Sequence, residues 1–278
     1  MSKPFDLNDL SLGKETDYVS DYLPSLLQAV PRSLNRESLG CVDSQPFFGE
    51  DVWHAYELSW LNLKGKPVVM LARFKLAFST PNIIESKSFK LYLNSFNQSR
   101  FETPEAVTHL LEQDLSAVAG GPVSVELIEP DNIDMLAVTR LPGECIDDLD
   151  VEVKQYDLDL TLLKVLGGDS VVSETLHSHL LKSNCLITNQ PDWASVVITY
   201  TGSPIDRAAL LKYLISFRMH NEFHEQCVER LYCDILSICK PSALSVQALY
   251  TRRGGLDINP FRSSNPDQCA PLQRVNRQ

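Results

Sequence analysis

Two apolar runs early in the chain have the pattern of a β-hairpin. They cover residues 51–63 and 67–78, and the polar tripeptide Lys64-Gly65-Lys66 separates them. A glycine among polar residues between two apolar runs is typical of a hairpin loop. Before the hairpin, residues 1–45 mix proline, serine and scattered charge. This composition predicts an irregular N-terminal arm, with a turn at 30–36.

Two helices and a strand are predicted after the hairpin. Residues 85–97 carry apolar side chains at helical spacing. The next helix is predicted over 104–118, with Thr103 as its N-cap and Pro104 as its first residue. A glycine pair then stops the helix, and residues 123–128 alternate as a strand.

The second half of the chain shows the same order of elements. Residues 194–200 alternate as a strand. A helix is predicted to begin at Ser203 as N-cap, with Asp206 in the first turn near the positive end of the helix. A longer helix over 222–239 and a strand over 244–251 complete the pattern.

The two halves are related by an internal duplication at a constant offset of 121 positions. The matched pairs include Thr80 with Thr201, Ile84 with Ile205, Glu85 with Asp206, Tyr92 with Tyr213, Ser95 with Ser216, and Phe96 with Phe217. A period this long indicates two homologous modules rather than a solenoid. We therefore predict an α+β protein of two modules, each an antiparallel sheet with helices on one face. The predicted division is an arm at 1–45, a first module at 46–145 and a second at 146–278.

Composition and charge narrow the class of protein. Hydrophobic residues make up 44% of the chain, which is enough to form hydrophobic cores. The 25 basic and 36 acidic residues give a net charge of −11, so direct nucleic-acid binding is not expected. No apolar run reaches the roughly 18 residues of a membrane span. The first residues, MSKPFDLNDL, lack a signal-peptide core, and we expect a soluble cytoplasmic protein with no membrane partner.

The cysteines favour free thiols over a framework of disulfides. There are seven, an odd number, and none forms a CxxC pair. Cys185 has polar neighbours on one side and apolar ones on the other, as at a strand edge near a cleft. Asp192 follows Pro191, and a turn at this proline could bring its carboxyl back toward the sulfur. One hypothesis is a nucleophile with a proton donor. The other is a small buried hydrophobe and a turn aspartate.

Two further clusters could bind ligands. His224-Glu225 opens a helix, where a carboxylate can accept from the N–H edge of a guanine-like or pterin-like ring, or can simply face the helix dipole. Arg252-Arg253-Gly254-Gly255 could hold a phosphate together with Lys87.

Two pairs of histidines are the candidate metal ligands. His177 with His179, and His220 with His224, have spacings that could ligate a metal, but no third ligand is obvious in the sequence. We predict no metal site.

Four segments of the sequence are distinctive enough to compare with a known protein family. They are ESKSFKLYLNSFN at 85–97, SHLLKSNCLITNQPDW at 178–193, FHEQCVER at 223–230 and YTRRGGLDINP at 250–260. With VPRSLNR near the start, they resemble the NADPH-dependent 7-cyano-7-deazaguanine reductases, the nitrile reductases of queuosine biosynthesis. The match is to their long, two-module class and extends over nearly the whole chain.

The resemblance implies a fold and a set of roles. It implies two tandem tunnelling-fold (T-fold) modules, NADPH as cofactor and the free base 7-cyano-7-deazaguanine as substrate. Cys185 would form a covalent thioimide with the nitrile, and Asp192 would be the proton donor. The implied binding residues are Ile84, Glu85, Ser86, His224 and Glu225 for the base, and Ser86, Lys87, Arg253 and Gly254 for NADPH.

The resemblance also implies a homodimer. Because the implied site residues come from both halves of the sequence, we expect the site at an interface between modules, within one chain or across the dimer. Two other hypotheses stay open. One is a metal-dependent T-fold hydrolase related to GTP cyclohydrolase, and the other is a non-catalytic module that binds a deazapurine or a pterin.

Overall fold

The computed structural model describes residue 6 and residues 18–40, 45–132 and 137–278. Contacts divide the chain into two compact units. The first holds the described residues of 1–33, 53–135 and 253–256, and the second those of 34–52, 136–252 and 257–278. Of the seven cysteines, Cys41 lies outside the described residues. The module boundaries predicted from the sequence remain predictions.

The described chain contains ten strands and five α-helices. In chain order they are β1 (Ala29–Pro31), α1 (Ser33–Ser38), β2 (Phe48–Leu61), β3 (Pro67–Ala77), β4 (Asn82–Ile84), α2 (Ser86–Asn94), α3 (Pro104–Ala119), β5 (Val123–Ile128), β6 (Glu144–Cys145), β7 (Val172–Asn184), β8 (Pro191–Gly202), α4 (Arg207–Ser216), α5 (His224–Cys239), β9 (Ala243–Tyr250) and β10 (Leu256–Ser263). Short 3₁₀ turns lie at Pro24–Leu26, Leu160–Leu162 and Phe217–Met219. Among the described residues, no helix combines the length and the apolarity needed to cross a membrane.

The first unit contains strands in the order β5-β3-β2, with β3 and β5 antiparallel. The predicted hairpin between β2 and β3 is confirmed. Asn62 holds its loop, because its side-chain oxygen accepts from the N–H groups of Lys64 and Lys66 at 2.9 and 3.0 Å. Gly65 takes a positive φ of 82° in this loop. The helix predicted at Thr103 and Pro104 is also confirmed, since the Thr103 hydroxyl accepts from the Ala106 N–H.

The second unit contains strands in the order β10-β9-β8-β7-β6. The ladders between β7, β8, β9 and β10 are antiparallel, and the two-residue β6 pairs parallel with β7. The α5 helix contacts β9, and α4 contacts β7. The mixed α+β class with antiparallel sheets is therefore confirmed.

Positions matched by the duplication make the same bonds in each unit. Glu85 caps α2 by accepting from two backbone N–H groups, and Asp206 caps α4 by accepting from the Ala209 N–H at 3.1 Å. Tyr92 donates to an aspartate on the following helix at 2.6 Å, and Tyr213 does likewise. These shared bonds are the physical reason that the motif recurs.

The N-cap predicted at Ser203 is wrong. The chain stays extended there, because Ile205 bridges Val165 and the Asp206 N–H donates to the Lys164 carbonyl at 2.9 Å. The helix begins only at Arg207, after Asp206.

The predicted arm is more ordered than its composition suggested. The expected turn at 30–36 is wrong, because β1 pairs with β4 and a helix follows it. This part of the arm also belongs to the repeat. The Glu85 N–H donates to the Gln28 carbonyl at 2.9 Å, which is the counterpart of the bond between Asp206 and Lys164. Each bond is preceded by a 3₁₀ turn, at Pro24–Leu26 and at Leu160–Leu162. The number of residues between the 3₁₀ turn and the following helix differs between the two halves. A comparison at the constant offset of 121 positions therefore does not reveal this part of the repeat.

Replacing Asp206 by alanine tests the corrected helix start. We expect Asp206→Ala to lower the free energy of unfolding by about 1 kcal/mol, because an N-cap acceptor is lost. Ser203→Ala is the matched control and should change it by less than about 0.5 kcal/mol. Urea unfolding followed by circular dichroism measures both. A larger loss in the Ser203 variant than in the Asp206 variant would contradict this assignment.

Candidate active site

Cys185 lies at the head of the hairpin formed by β7 and β8. It follows β7 directly, and its N–H donates to the Gln190 carbonyl at 2.8 Å. Its own carbonyl accepts from the Asn189 N–H at 3.1 Å and from the Asn221 side chain at 3.1 Å. Asn189 has a positive φ of 56°, which asparagine tolerates better than most residues. The thiol is therefore carried by a loop fixed at several points, and it is partly exposed.

Asp192 lies on β8, opposite Ser183 of β7. The turn expected at Pro191 is wrong, because Pro191 begins the strand and the chain reverses over residues 185–190. Side chains alternate between the two faces of a ladder, and directly paired residues share a face. Ser183 and Asp192 form one such pair, and Cys185 continues the ladder two positions beyond Ser183. The thiol and the carboxyl thus belong to the same face at the same end of the hairpin.

The Asp192 carboxyl is buried beside an imidazole. Its Oδ1 lies 3.6 Å from Nε2 of His224, and the two side chains are 5% and 15% exposed. The His224 ring meets the Tyr250 ring edge-on, with centroids 4.2 Å apart. Burial raises the pKa of the Tyr250 hydroxyl well above its usual value, and Cys227 and Asp192 raise it further. Burial likewise raises the pKa of the Cys227 thiol, so Cys227 does not compete with Cys185 as a nucleophile.

The start of α5 presents His224 and Glu225. Glu225 is buried in the first turn, at 3% exposure. Glu222 lies two residues before the helix, where it accepts from Arg230 at 2.7 Å and lies 3.0 Å from Nε2 of His220. Burial alone would raise the pKa of Glu222, but these two partners hold it below its usual value. Within α5 itself, Glu225 is the buried carboxyl of the first turn.

Buried charges anchor α5 one turn further along. Glu229 accepts from Arg36 at 2.7 and 3.0 Å and from Arg262 at 2.8 Å. Arg262 also donates to Asp51 at 2.8 Å. Removing one partner of such a buried pair costs about 3–5 kcal/mol, so this cluster holds the helix that carries His224 in place.

In the first unit, the segment from Ile84 to Lys87 leads into α2. Ile84 is buried and pairs with Ala29. Glu85 is fully buried, and its two carboxylate oxygens accept from the N–H groups of Lys87 and Ser88 at 2.7 Å. Burial raises the pKa of Glu85 although these bonds and nearby lysines lower it. In this structure Glu85 caps α2. A hydrogen bond to a bound base would be a second role of the same carboxylate.

Arg253 and Gly254 also belong to the first unit, although the sequence suggested the second half. Arg253 and Leu256 exchange two backbone bonds around Gly254 and Gly255, whose φ values are 53° and 75°. A two-residue turn with positive φ at both positions requires glycine or a close substitute. A Cβ on Gly254 would lie 3.0 Å from Cδ of Lys90.

These glycines line a cavity of about 300 Å³ in the first unit. Its other residues include Lys90, Glu57, Asn94 and Asn97. Sequence reasoning missed Lys90, although it lies three residues after Lys87 on the same helix and this spacing places the two on neighbouring positions of one face. The two glycines let the turn lie close to the side chains of Lys90 and Glu57, so the cavity is lined by one ammonium and one carboxylate.

The fold is mixed α+β, and the second unit carries a partly exposed thiol and a buried carboxyl–imidazole pair. Residues 18–127 match a family model described as "Nitrile reductase, 7-cyano-7-deazaguanine-reductase N-term", and residues 191–268 match one described as "QueF-like protein". The two matches together cover more than half of the chain, which belongs to the family of QueF-type nitrile reductases. Membership makes it an oxidoreductase of deazaguanine metabolism.

The matched segments include most of the site. Asp192, His224, Glu225, Arg253 and Gly254 lie in the second match, and the segment from Ile84 to Lys87 lies in the first, whereas Cys185 lies between the two. Among solved structures, the crystal structure of an archaeosine synthase, QueF-Like, in the apo form matches with a TM-score of 0.30 and 17% identity. That match covers 35% of this chain and 95% of the other.

Proposed function

We propose that this chain reduces the nitrile of 7-cyano-7-deazaguanine to the primary amine of 7-aminomethyl-7-deazaguanine with NADPH, in queuosine biosynthesis. The observation that carries the proposal is the end of the β7–β8 hairpin, where Ser183 pairs with Asp192, Cys185 follows Ser183 by two residues, and His224 lies 3.6 Å from Asp192. Family membership supplies the substrate class. We further propose that the chain folds as two T-fold modules and acts as a homodimer.

A nitrile carbon is a weak electrophile, so a positioned thiol is a suitable partner. Cys185 adds across the triple bond: its sulfur bonds to carbon, and one hydrogen ends on nitrogen. The product is a thioimide, which keeps the substrate covalently attached. The fixed loop from Cys185 to Gln190 restricts where the sulfur can be, and this positioning is a large part of what a protein can contribute to such a step.

Asp192 supplies protons to the substrate nitrogen. A buried carboxyl next to an imidazole suits this role: Nε2 of His224 lies 3.6 Å from Oδ1 of Asp192, and a closure to about 2.6–3.2 Å would let a proton pass between them. Reduction of the nitrile to the amine takes up two hydrides and two protons. The first hydride and one proton convert the thioimide into a thiohemiaminal that is still bonded to Cys185. Its carbon–sulfur bond then breaks to give an imine, which takes the second hydride and proton, and the restored Cys185 thiol returns the protein to its starting form.

NADPH, when bound, supplies the two hydrides. Ser86, Lys87, Arg253 and Gly254 are proposed to hold it, with Lys90 as an additional cation beside Gly254. The guanidinium of Arg253 and the ammonium of Lys87 are positive groups that favour phosphates. Gly254 has no Cβ, so backbone N–H groups can approach such a phosphate. Because two hydrides are needed, the bond to Cys185 would keep the half-reduced substrate in the site while the spent cofactor is exchanged.

Recognition of the base is proposed for Ile84, Glu85, Ser86, His224 and Glu225. A deazaguanine presents an edge of N–H donors, and a buried carboxylate is the acceptor that suits such an edge. Glu225 is buried at the first turn of α5, within one residue of His224. The site would therefore select the base by hydrogen bonds and reject compounds that lack the donors.

Nicotinamide oxidation in the presence of 7-cyano-7-deazaguanine tests the proposed activity. We expect two NADPH consumed per amine formed, with the amine identified by mass spectrometry. Cys185→Ala should remain folded and show no turnover, because the covalent step is lost. Cys269→Ala, the same change at an exposed thiol, is the matched control and should keep full activity. Turnover by the Cys185 variant at the wild-type rate would exclude the thioimide route.

Asp192→Asn separates proton supply from thiol addition. We expect kcat to fall by about 10²–10⁴-fold, because a positioned proton donor is lost. Slow formation of the covalent adduct at Cys185 should persist, since the thiol is untouched. Asp267→Asn, an exposed aspartate, is the control and should leave kcat unchanged. An Asp192 variant with unchanged kcat would show that the protons come from another group.

A further inference from the structure

A cluster of metal-ligating side chains lies in the second unit, away from the hairpin head. Cys145, His177 and His179 each offer one ligand atom, and these atoms all lie within 4.8 Å of one another. Within the described part of the chain this is the one group of three such side chains. The sequence shows only the histidine pair, because the third member lies more than thirty residues earlier.

The strand register explains the cluster. β6 runs parallel to β7 with Cys145 beside His177, and the Ile146 N–H donates to the His177 carbonyl at 3.0 Å. His177 and His179 are two positions apart on β7, where the register with β8 shifts between Ser178 and Leu181. Their rings meet edge-on with centroids 5.5 Å apart, so both side chains lie on the same face. Backbone pairing thus brings one thiol and two imidazoles together.

Each histidine is oriented through its Nδ1 atom. In His177 this atom lies 2.9 Å from the Pro142 carbonyl, and in His179 it lies 2.8 Å from the Ser195 hydroxyl. A carbonyl can only accept, so Nδ1 of His177 is the donor, and in the neutral ring the lone pair is then on Nε2. Metal-binding histidines are typically held in this way, with one nitrogen bonded to the protein and the other on the metal.

Gly143 allows this arrangement to form. Its φ is 77°, and a Cβ there would lie 2.1 Å from the Thr175 carbonyl oxygen. Only glycine lets the chain approach β7 closely enough to place the Pro142 carbonyl and Cys145 against His177. Asp147 also bonds the segment that follows β6 to β7. Its carboxylate accepts from the Ser178 hydroxyl at 2.6 Å and from the His179 N–H at 2.9 Å.

We propose that Cys145, His177 and His179 bind one zinc ion through the thiolate and two imidazoles. Zinc takes thiolate and imidazole ligands in tetrahedral geometry, with ligand atoms about 3.3–3.7 Å apart. The ligand atoms now lie within 4.8 Å of one another. Rotations about the side-chain bonds that move these atoms by about 1 Å would bring them to that geometry. All three line a cavity of about 540 Å³ that Arg140 and Asn276 also line. The fourth position faces this cavity, so a water molecule or an anion completes the coordination.

The zinc site acts on stability rather than on the proposed reduction. His179 precedes Cys185 by six residues along β7, or about 20 Å of extended chain. A metal at the former cannot contact a substrate bound at the latter. It links the segment carrying β6 to β7, so binding stabilises the folded second unit. The site does not depend on the proposed function, and its test does not use the reaction.

Metal binding is measured on the full chain in the Cys185→Ala background, which removes a competing thiol. Titration with Zn²⁺ should show one ion bound with a Kd of micromolar or tighter, and saturation should raise Tm by at least about 5 °C. Co²⁺ in its place should give tetrahedral bands and a sulfur-to-metal charge-transfer band. Cys145→Ser should abolish that band, and His177→Ala should weaken binding at least 10-fold. Cys269→Ser and His109→Ala are matched controls and should change neither.

Wild-type protein gives a test that does not depend on a variant folding. Zn²⁺ should slow the alkylation of Cys145 by iodoacetamide at least 10-fold and leave Cys269 unaffected, as read by peptide mass spectrometry. No bound ion at 100 µM Zn²⁺ would overturn the proposal. Binding that is unchanged by Cys145→Ser and His177→Ala would overturn it too, as would equal protection of both thiols.

Discussion

The antiparallel ladder between β7 and β8 is the constraint on which the candidate chemistry depends. It sets Ser183 opposite Asp192, and its continuation to the bond between Cys185 and Gln190 places the thiol on the carboxyl's face. A slip of one residue would move every side chain of one strand to the other face. The pairing of β8 with β9 fixes the same strand from its other edge. Asp192 is therefore held by the β7–β8 ladder, and the β8–β9 ladder begins two residues further along the same strand, at Ala194.

A second constraint acts through buried charge. His224 and Glu225 open α5, and Glu229 on the same helix is bonded to Arg36 and Arg262 inside the second unit. Desolvation makes isolated buried charges costly, so these groups are stable only as a set. Any shift of α5 would break bonds within the set. The helix can thus present an imidazole to Asp192 with little freedom to move away, as preorganised catalysis requires.

Local signals in the sequence were enough for much of the fold. Thr103 and Pro104 mark a helix start because the cap bond joins residues close in sequence, and the hairpin at Gly65 is equally local. Ser203 was wrongly predicted as the N-cap because a serine followed by proline is also typical of a helix start. The bridge from Ile205 to Val165, which is distant in sequence, shows that the chain is still extended there. The repeated 3₁₀ turns were hidden by a change of loop length.

The candidate residues were predicted from motifs, but their arrangement was not. Asp192 was expected in a turn and lies on a strand, since proline is compatible with the first position of a strand. Arg253 and Gly254 follow the second-half strands in sequence yet pack in the first unit, because their turn closes against Glu57 and Lys90. Cys145 could not be linked to His177 without the register of β6 on β7. Each of these is a non-local contact that no window along the sequence contains.

The most direct test of the account is whether Cys185 becomes covalently bound to the nitrile substrate. The protein is mixed with 7-cyano-7-deazaguanine without NADPH, and its intact mass and peptides are measured. The account predicts one added substrate mass per chain, located on the peptide that contains Cys185 and released when NADPH is added. An unmodified Cys185 in a protein that nevertheless reduces the nitrile at its full rate would contradict the account.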